Sequence, residues 1–233
     1  MSENHNVKYP RRAPVVPLVP PVYVLGHASR SGRVLPHLSR LSHTLVINPD
    51  WPLGNITMHP TYAGRCPLNH YRVFRGWQTM ADKFLVANAN PVGLFFEDDA
   101  VPNCPDWTRR INLLAHWMEG KYDLMYLCGR CFNPKRFDLV ATVLQTPVYS
   151  LKVDAAGSTD DFGGMNHVFG CCAALMSRDG ACKMATARWT GVPGDVYFPD
   201  HSRFCFVGAT DSMFIHDHSQ GSLIDPSVSA TYL

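Results

Sequence analysis

Residues 69–87, NHYRVFRGWQTMADKFLVA, place Val73, Phe74, Trp77, Met80, Ala81, Phe84 and Leu85 at i, i+1, i+4, i+7, i+8, i+11 and i+12. That spacing predicts one long amphipathic helix, apolar along a single face. A helix of this kind must bury its stripe against another layer. The next apolar run, PVGLFFE at 91–97, follows after three residues and is short, bulky and continuous, as a buried strand is. The helix–strand alternation then recurs. VYVLG (22–26) and HTLVINP (43–49) read as strands, DWTRRINLLAHWM (106–118) as a helix with Asp106 as cap, and YDLMYLC (122–128) as a strand. CCAALMS (171–177) reads as a strand that leads into a helix from 178 to 189 capped by Ser177, and 154–166 as a glycine-rich acidic loop. The class expected is α/β with a mainly parallel central sheet.

The chain has 233 residues, enough for one large domain with a sizeable core. Residues 1–20 form a proline-rich basic arm, and 21–233 read as a single domain. Prolines 14, 17, 20 and 21 break the apolar run after Arg11 and Arg12, which suits an extended arm better than a helical signal segment. No stretch approaches the roughly 20 apolar residues of a membrane span, so integral membrane association is not expected and the reading is cytoplasmic. Net charge is +2, but its distribution is uneven. Lys8, Arg11, Arg12, Arg30, Arg33 and Arg40 crowd the start, and Asp195, Asp200, Asp211, Asp217 and Asp225 the end. Such halves can face each other across a cleft holding a cation and a polyanion, or be two unrelated solvated surfaces. Eight cysteines include CGRC at 128–131, but no second CxxC completes a four-ligand zinc site, so buried free thiols are expected.

The strand at 91–97 ends in Glu97, Asp98 and Asp99. Three adjacent carboxylates repel unless hydrated, paired or sharing a cation. In α/β sheets ligands bind beyond the carboxyl ends of strands, where these acids lie. Two adjacent ones can hold Mg²⁺ or Mn²⁺, whose remaining positions a diphosphate and water would fill. Phosphatases and nucleases use such acids too.

Five segments in order resemble glycosyltransferase family 25, which includes lipooligosaccharide and collagen galactosyltransferases. They are VYVLGHASRSGR, YAGRCPLNHYRVFRGW with Cys66 and His70, FFEDDAVP, YDLMYLCG and GCCAALMSRDGA. Arg65, Asn69 and Ala174 depart from the usual pattern, and the acid of the early turn is missing. The resemblance implies a GT-A-like nucleotide-sugar-binding domain, covering about residues 22–200. It implies an inverting hexosyltransferase that moves a sugar from a nucleotide-diphosphate donor to a hydroxyl. Asp99, with Glu97 or Asp98, would hold Mn²⁺ or Mg²⁺, and a late histidine, His216 or His218 in DSMFIHDHSQ, would join them. Arg30, Arg33, His70, Glu97 and Asp98 would serve the donor. Asp195 is the first choice for general base, with Asp160 and Asp161 in the acidic loop as runners-up. Trp189 and Tyr197 could stack on a sugar or belong to the core. The acceptor would be a surface oligosaccharide or a protein. The alternatives are a hydroxylated base in DNA, met through the basic arm, a metal-dependent phosphohydrolase, and a non-catalytic sugar-binding protein.

Overall fold

A computed structural model describes residues 20–26, 43–47, 56–58, 60, 67–87, 89–128, 130–131, 137–151, 168–169, 171–208 and 212–217. The strands are β1 (Val22–Gly26), β2 (His43–Ile47), β3 (Val92–Glu97), β4 (Ala100–Pro102), β5 (Leu124–Tyr126) and β6 (Arg130–Cys131). They continue as β7 (Phe137–Val143), β8 (Thr146–Leu151), β9 (Val168–Phe169), β10 (Ala173–Ser177), β11 (Phe204–Val207) and β12 (Phe214–His216). The helices are α1 (Pro67–Ala87), α2 (Trp107–Met118), α3 (Arg178–Thr186) and α4 (Gly194–Asp200).

Eight strands form one sheet in the order β2-β1-β3-β10-β5-β11-β8-β7. The expected α/β class is the one observed, and the sheet is mixed. β1, β2, β3, β5, β7 and β11 run one way, and β8 and β10 run against them. Antiparallel β10 therefore begins at the sheet edge where β3 and β5 end. Two minor ribbons, β12 with β4 and β6 with β9, complete the described strands.

Alternation along each strand divides the core into two layers. Tyr23, Leu25, Phe95, Tyr126, Ala174 and Met176 face α1 and α3, where they meet Phe74, Trp77, Met80, Phe84 and Met184. Val22, Val24, Leu94, Phe96, Met125 and Leu175 face the other way, against Ile111, Leu114 and Met118 of α2. The α1 face is the one its periodicity predicts, with Val73 and Leu85 only half-buried at its margin. Gly76 lets α1 settle onto β1: a Cβ there would lie 2.5 Å from the Leu25 side chain. Ser177 caps α3 as expected, its hydroxyl accepting from the Gly180 N–H at 3.1 Å. Asp106 precedes α2 but caps no N–H. Its carboxylate is drawn instead into an ion pair with Arg110 at 2.9 Å, one turn along the helix.

One charged group inside this frame ties three elements together. Asp123, fully buried just before β5, accepts from Arg203 Nη2 at 2.6 Å, Arg203 Nε at 3.0 Å, the Arg203 backbone N–H at 2.9 Å and Lys183 Nζ at 2.5 Å. A buried carboxylate persists only when it is paired and hydrogen-bonded in this way. Its backbone carbonyl also accepts the Ser177 N–H at 2.9 Å, so β5, β10, α3 and the start of β11 converge on one residue.

Candidate functional site

The end of β3 turns through Asp98 and Asp99 into β4, and β4 pairs with β12 in the register His216↔Ala100. This pairing carries the late histidine back over the acids. Phe214 anchors the ribbon, its ring 4.8 Å from Phe96 and 5.5 Å from Trp107. Residues two apart on a strand share a face, so burying Phe214 directs His216 inward as well. The Asp217 N–H donates to the Asp99 carbonyl at 2.8 Å and fixes the ribbon's far end.

Glu97, Asp99 and His216 each offer a ligand atom, and these atoms lie within 4.8 Å of one another. His216 Nδ1 lies 3.4 Å from Asp99 Oδ2. Trp77 Nε1–H, from α1, donates to Glu97 Oε1 at 3.0 Å. Burial, and then the neighbouring Asp99 charge, push the Glu97 carboxyl up to about 8, although His216 and the indole bond oppose the rise. Burial lowers the proton affinity of His216, but Asp99 outweighs it through its hydrogen bond and charge and raises the imidazole to about 10. Glu97 and His216, crowded against the Asp99 charge, thus hold protons that a cation could replace. Oxygen and nitrogen donors at this spacing could hold a metal ion.

The four residues read as donor or metal ligands around β3 do not behave alike. Glu97, Asp99 and His216 converge. Asp98 is buried outside the group, its carboxylate beside the end of β1, where a Cβ on Gly26 would lie 3.8 Å from Asp98 Oδ2. His70 is buried near the start of α1 and lines the same cleft as Glu97 and His216. Arg30, Arg33, Asp160, Asp161 and His218 lie outside the described residues.

That cleft encloses about 540 Å³, part of it open to solvent, and its walls include Trp77, Tyr126, Cys171 and Phe198. Asp195, in the first turn of α4, also lines it. The Tyr126 hydroxyl donates to the Asp195 backbone carbonyl at 3.2 Å and holds the start of α4 against β5. Burial first, then Cys171 and Asp195, drive the Tyr126 phenol well above its ordinary range, so it stays a neutral donor. Trp189 and Tyr197 pack around Phe74, at 5.3 and 5.7 Å between ring centroids, and so belong to the aromatic cluster under α1.

Behind the acids sit three buried thiols. Cys128 Sγ lies 3.0 Å from Cys172 Sγ and accepts the backbone N–H groups of Cys172 at 3.0 Å and Ala173 at 3.2 Å. Burial resists ionisation of Cys128, but hydrogen bonds from Cys171 and Cys172 draw it well below the usual thiol range. Burial, and then Cys128 itself, keep Cys171 and Cys172 far above theirs. Cys128 is buried and forms no disulfide, while the Cys131 side chain lies outside what is described.

Sequence patterns reveal Trp77 only as a core residue and do not reveal Tyr126 as a cleft wall. Their roles depend on partners 20 and 69 positions away.

No family model and no curated protein matches this chain. Among solved structures it is similar to A197 from STIV, with 13% identity, a TM-score of 0.43, and coverage of 88% of this chain and 98% of that one. It is also similar to a glycosyltransferase involved in the glycosylation of the major capsid of PBCV-1, with 12% identity, a TM-score of 0.38, and coverage of 84% of this chain and 93% of that one. Among the described residues, no helix is long and apolar enough to cross a membrane.

Proposed function

We propose that the chain is a metal-dependent glycosyltransferase of GT-A type that moves a hexose from a nucleotide-diphosphate sugar to a hydroxyl acceptor with inversion. The observation that carries this reading is the convergence of Glu97, Asp99 and His216 at a cleft that Glu97, His216 and Asp195 line together. The five motifs that resemble family 25 support it, since two of them supply Glu97 and His70 at this cleft.

In this reading Glu97, Asp99 and His216 would hold Mn²⁺ or Mg²⁺, which when bound offsets the charge of the departing diphosphate. The chain's own residues do the rest. Asp195 takes the proton from the acceptor hydroxyl as the new bond to the sugar forms. Trp77, Tyr126 and Phe198 exclude water around the transferred sugar. His70, Asp98, Arg30 and Arg33 are assigned to the donor. Asp160 and Asp161 are the second choice for base, and His218 the second choice for the late ligand. The acceptor is assigned to surface oligosaccharide or protein, with a hydroxylated DNA base as the alternative.

The test is a thermal-shift screen of nucleotide sugars with and without Mn²⁺. A donor that binds only the folded chain raises its melting temperature by mass action. A shift that requires both donor and Mn²⁺ is expected, followed by transfer to an added acceptor. Hydrolysis of phosphoesters with no acceptor requirement would favour the phosphohydrolase instead, and no shift with any nucleotide would refute both.

A further inference from the structure

We infer that Trp77 is a positioning residue for the cation site, acting through Glu97; the inference rests on the metal-dependent reading above. A buried indole N–H needs an acceptor, and a backbone carbonyl serves that need in an ordinary core. Here the acceptor is a carboxylate that lines the cleft. The Trp77 side chain is only 5% exposed, and its ring stacks on Phe95 with centroids 6.3 Å apart at 24°. The same helix is locked to the sheet by Met80 and Phe84, both fully buried, and by the close approach of Gly76 to Leu25. The donor therefore cannot drift.

The acceptor is held as firmly. The Glu97 backbone N–H donates to the Cys172 carbonyl at 2.8 Å, and Glu97 pairs with Leu25 in the sheet. With the backbone fixed by the sheet and Oε1 fixed by the indole, the carboxylate plane has one orientation. Oε2 lies outside the indole bond. Conserving this orientation costs the site nothing on binding, because the rotamer entropy of Glu97 is already lost in folding. Outer-shell hydrogen bonds of this kind orient metal ligands, and losing one typically weakens affinity about 10–100-fold.

The experiment is a calorimetric titration with Mn²⁺ alone, with no nucleotide present. Wild type, Trp77→Phe and Phe84→Leu are compared. The last is a core change on the same helix, two turns from Trp77, that leaves both partners of the indole bond in place. Trp77→Phe should weaken Mn²⁺ binding about 10-fold or more, and Phe84→Leu should leave it within about twofold. Equal weakening in both variants, or none in Trp77→Phe, overturns the role of Trp77 while the cation site stands. Absence of Mn²⁺ binding in wild type overturns the site and the inference together. A second measurement does not depend on how well the variant folds. In wild type labelled with ¹⁵N at its tryptophan indoles, the Trp77 signal, assigned through its contact with Phe95, should shift along the Mg²⁺ titration. A Trp77 signal that stays fixed while Mg²⁺ binds would also overturn it.

Discussion

Replacing Asp123 by Asn tests whether the buried carboxylate between β5, α3 and β11 is held by charge. Burial opposes ionisation of this group, yet Arg203 and then Lys183 outweigh it and lower its pKa from 3.8 to about 2. At about 1.4 kcal/mol per tenfold in proton affinity, that depression corresponds to roughly 2–3 kcal/mol. Arg203 and Lys183 are half-exposed, at 48% and 51%, so solvent screens their attraction. After that discount the ionised form contributes about 1–2 kcal/mol. The sign follows from a lowered pKa. The contribution is complete above the unfolded value near 4 and fades as pH falls toward 2. Asn keeps the shape and can still accept from Arg203, but it presents an amide donor and no charge. Urea denaturation of both proteins should therefore show a gap of about 1–2 kcal/mol from pH 5 to 7. In melting temperature that is about 2–8 °C for a chain of this size. The gap should narrow steadily between pH 4 and pH 2, because wild-type Asp123 then becomes protonated and resembles the amide. A gap that is absent at neutral pH, or that persists unchanged down to pH 2, would refute the electrostatic account.

Gly180→Ala should destabilise by about 1–3 kcal/mol, against the usual helical preference for Ala, because the new Cβ would lie 2.2 Å from the Asp123 carbonyl oxygen; denaturant midpoints decide, and a stabilised variant would contradict the close approach of α3 to β5. The β7–β8 turn places Leu144 and Gln145 at φ 46° and 62°, a left-handed pair that suits Asn-Gly. The double change Leu144→Asn, Gln145→Gly should thus raise stability by about 1 kcal/mol, read as a higher melting temperature. Asp99→Asn should abolish Mn²⁺-stimulated transfer while circular dichroism stays that of wild type; undiminished transfer would remove Asp99 from the site. Asp195→Asn should slow transfer about 10²–10⁴-fold with donor affinity nearly unchanged by calorimetry. Joint loss of rate and donor binding would make Asp195 a donor contact instead.

What the amino-acid order determined by itself was local. The face of α1 was readable because its contacts repeat every three or four residues, and so was the Ser177 cap, which needs only the N–H of Gly180 three positions on. β1, β3 and β10 were readable as unbroken apolar runs, and the acids at the end of β3 as an anomaly against them. Tertiary structure decided strand direction. Nothing within β10 marks it as antiparallel; its register with β3, Ala173↔Phe96, is set by pairing between distant segments. The short strands β4, β11 and β12 carry too few residues for a period to show, and they exist because the sheet or a partner strand completes their hydrogen bonds. Asp106 was a sound cap by type, but Arg110 competed for its carboxylate. The candidate site belongs to the same class of fact. His216 meets Asp99 across 117 positions because Phe214 buries beside Phe96, and Trp77 meets Glu97 because Gly76 lets α1 lie close on β1. Periodicity reports which face a segment buries, whereas the partner on that face depends on how every other segment buries its own.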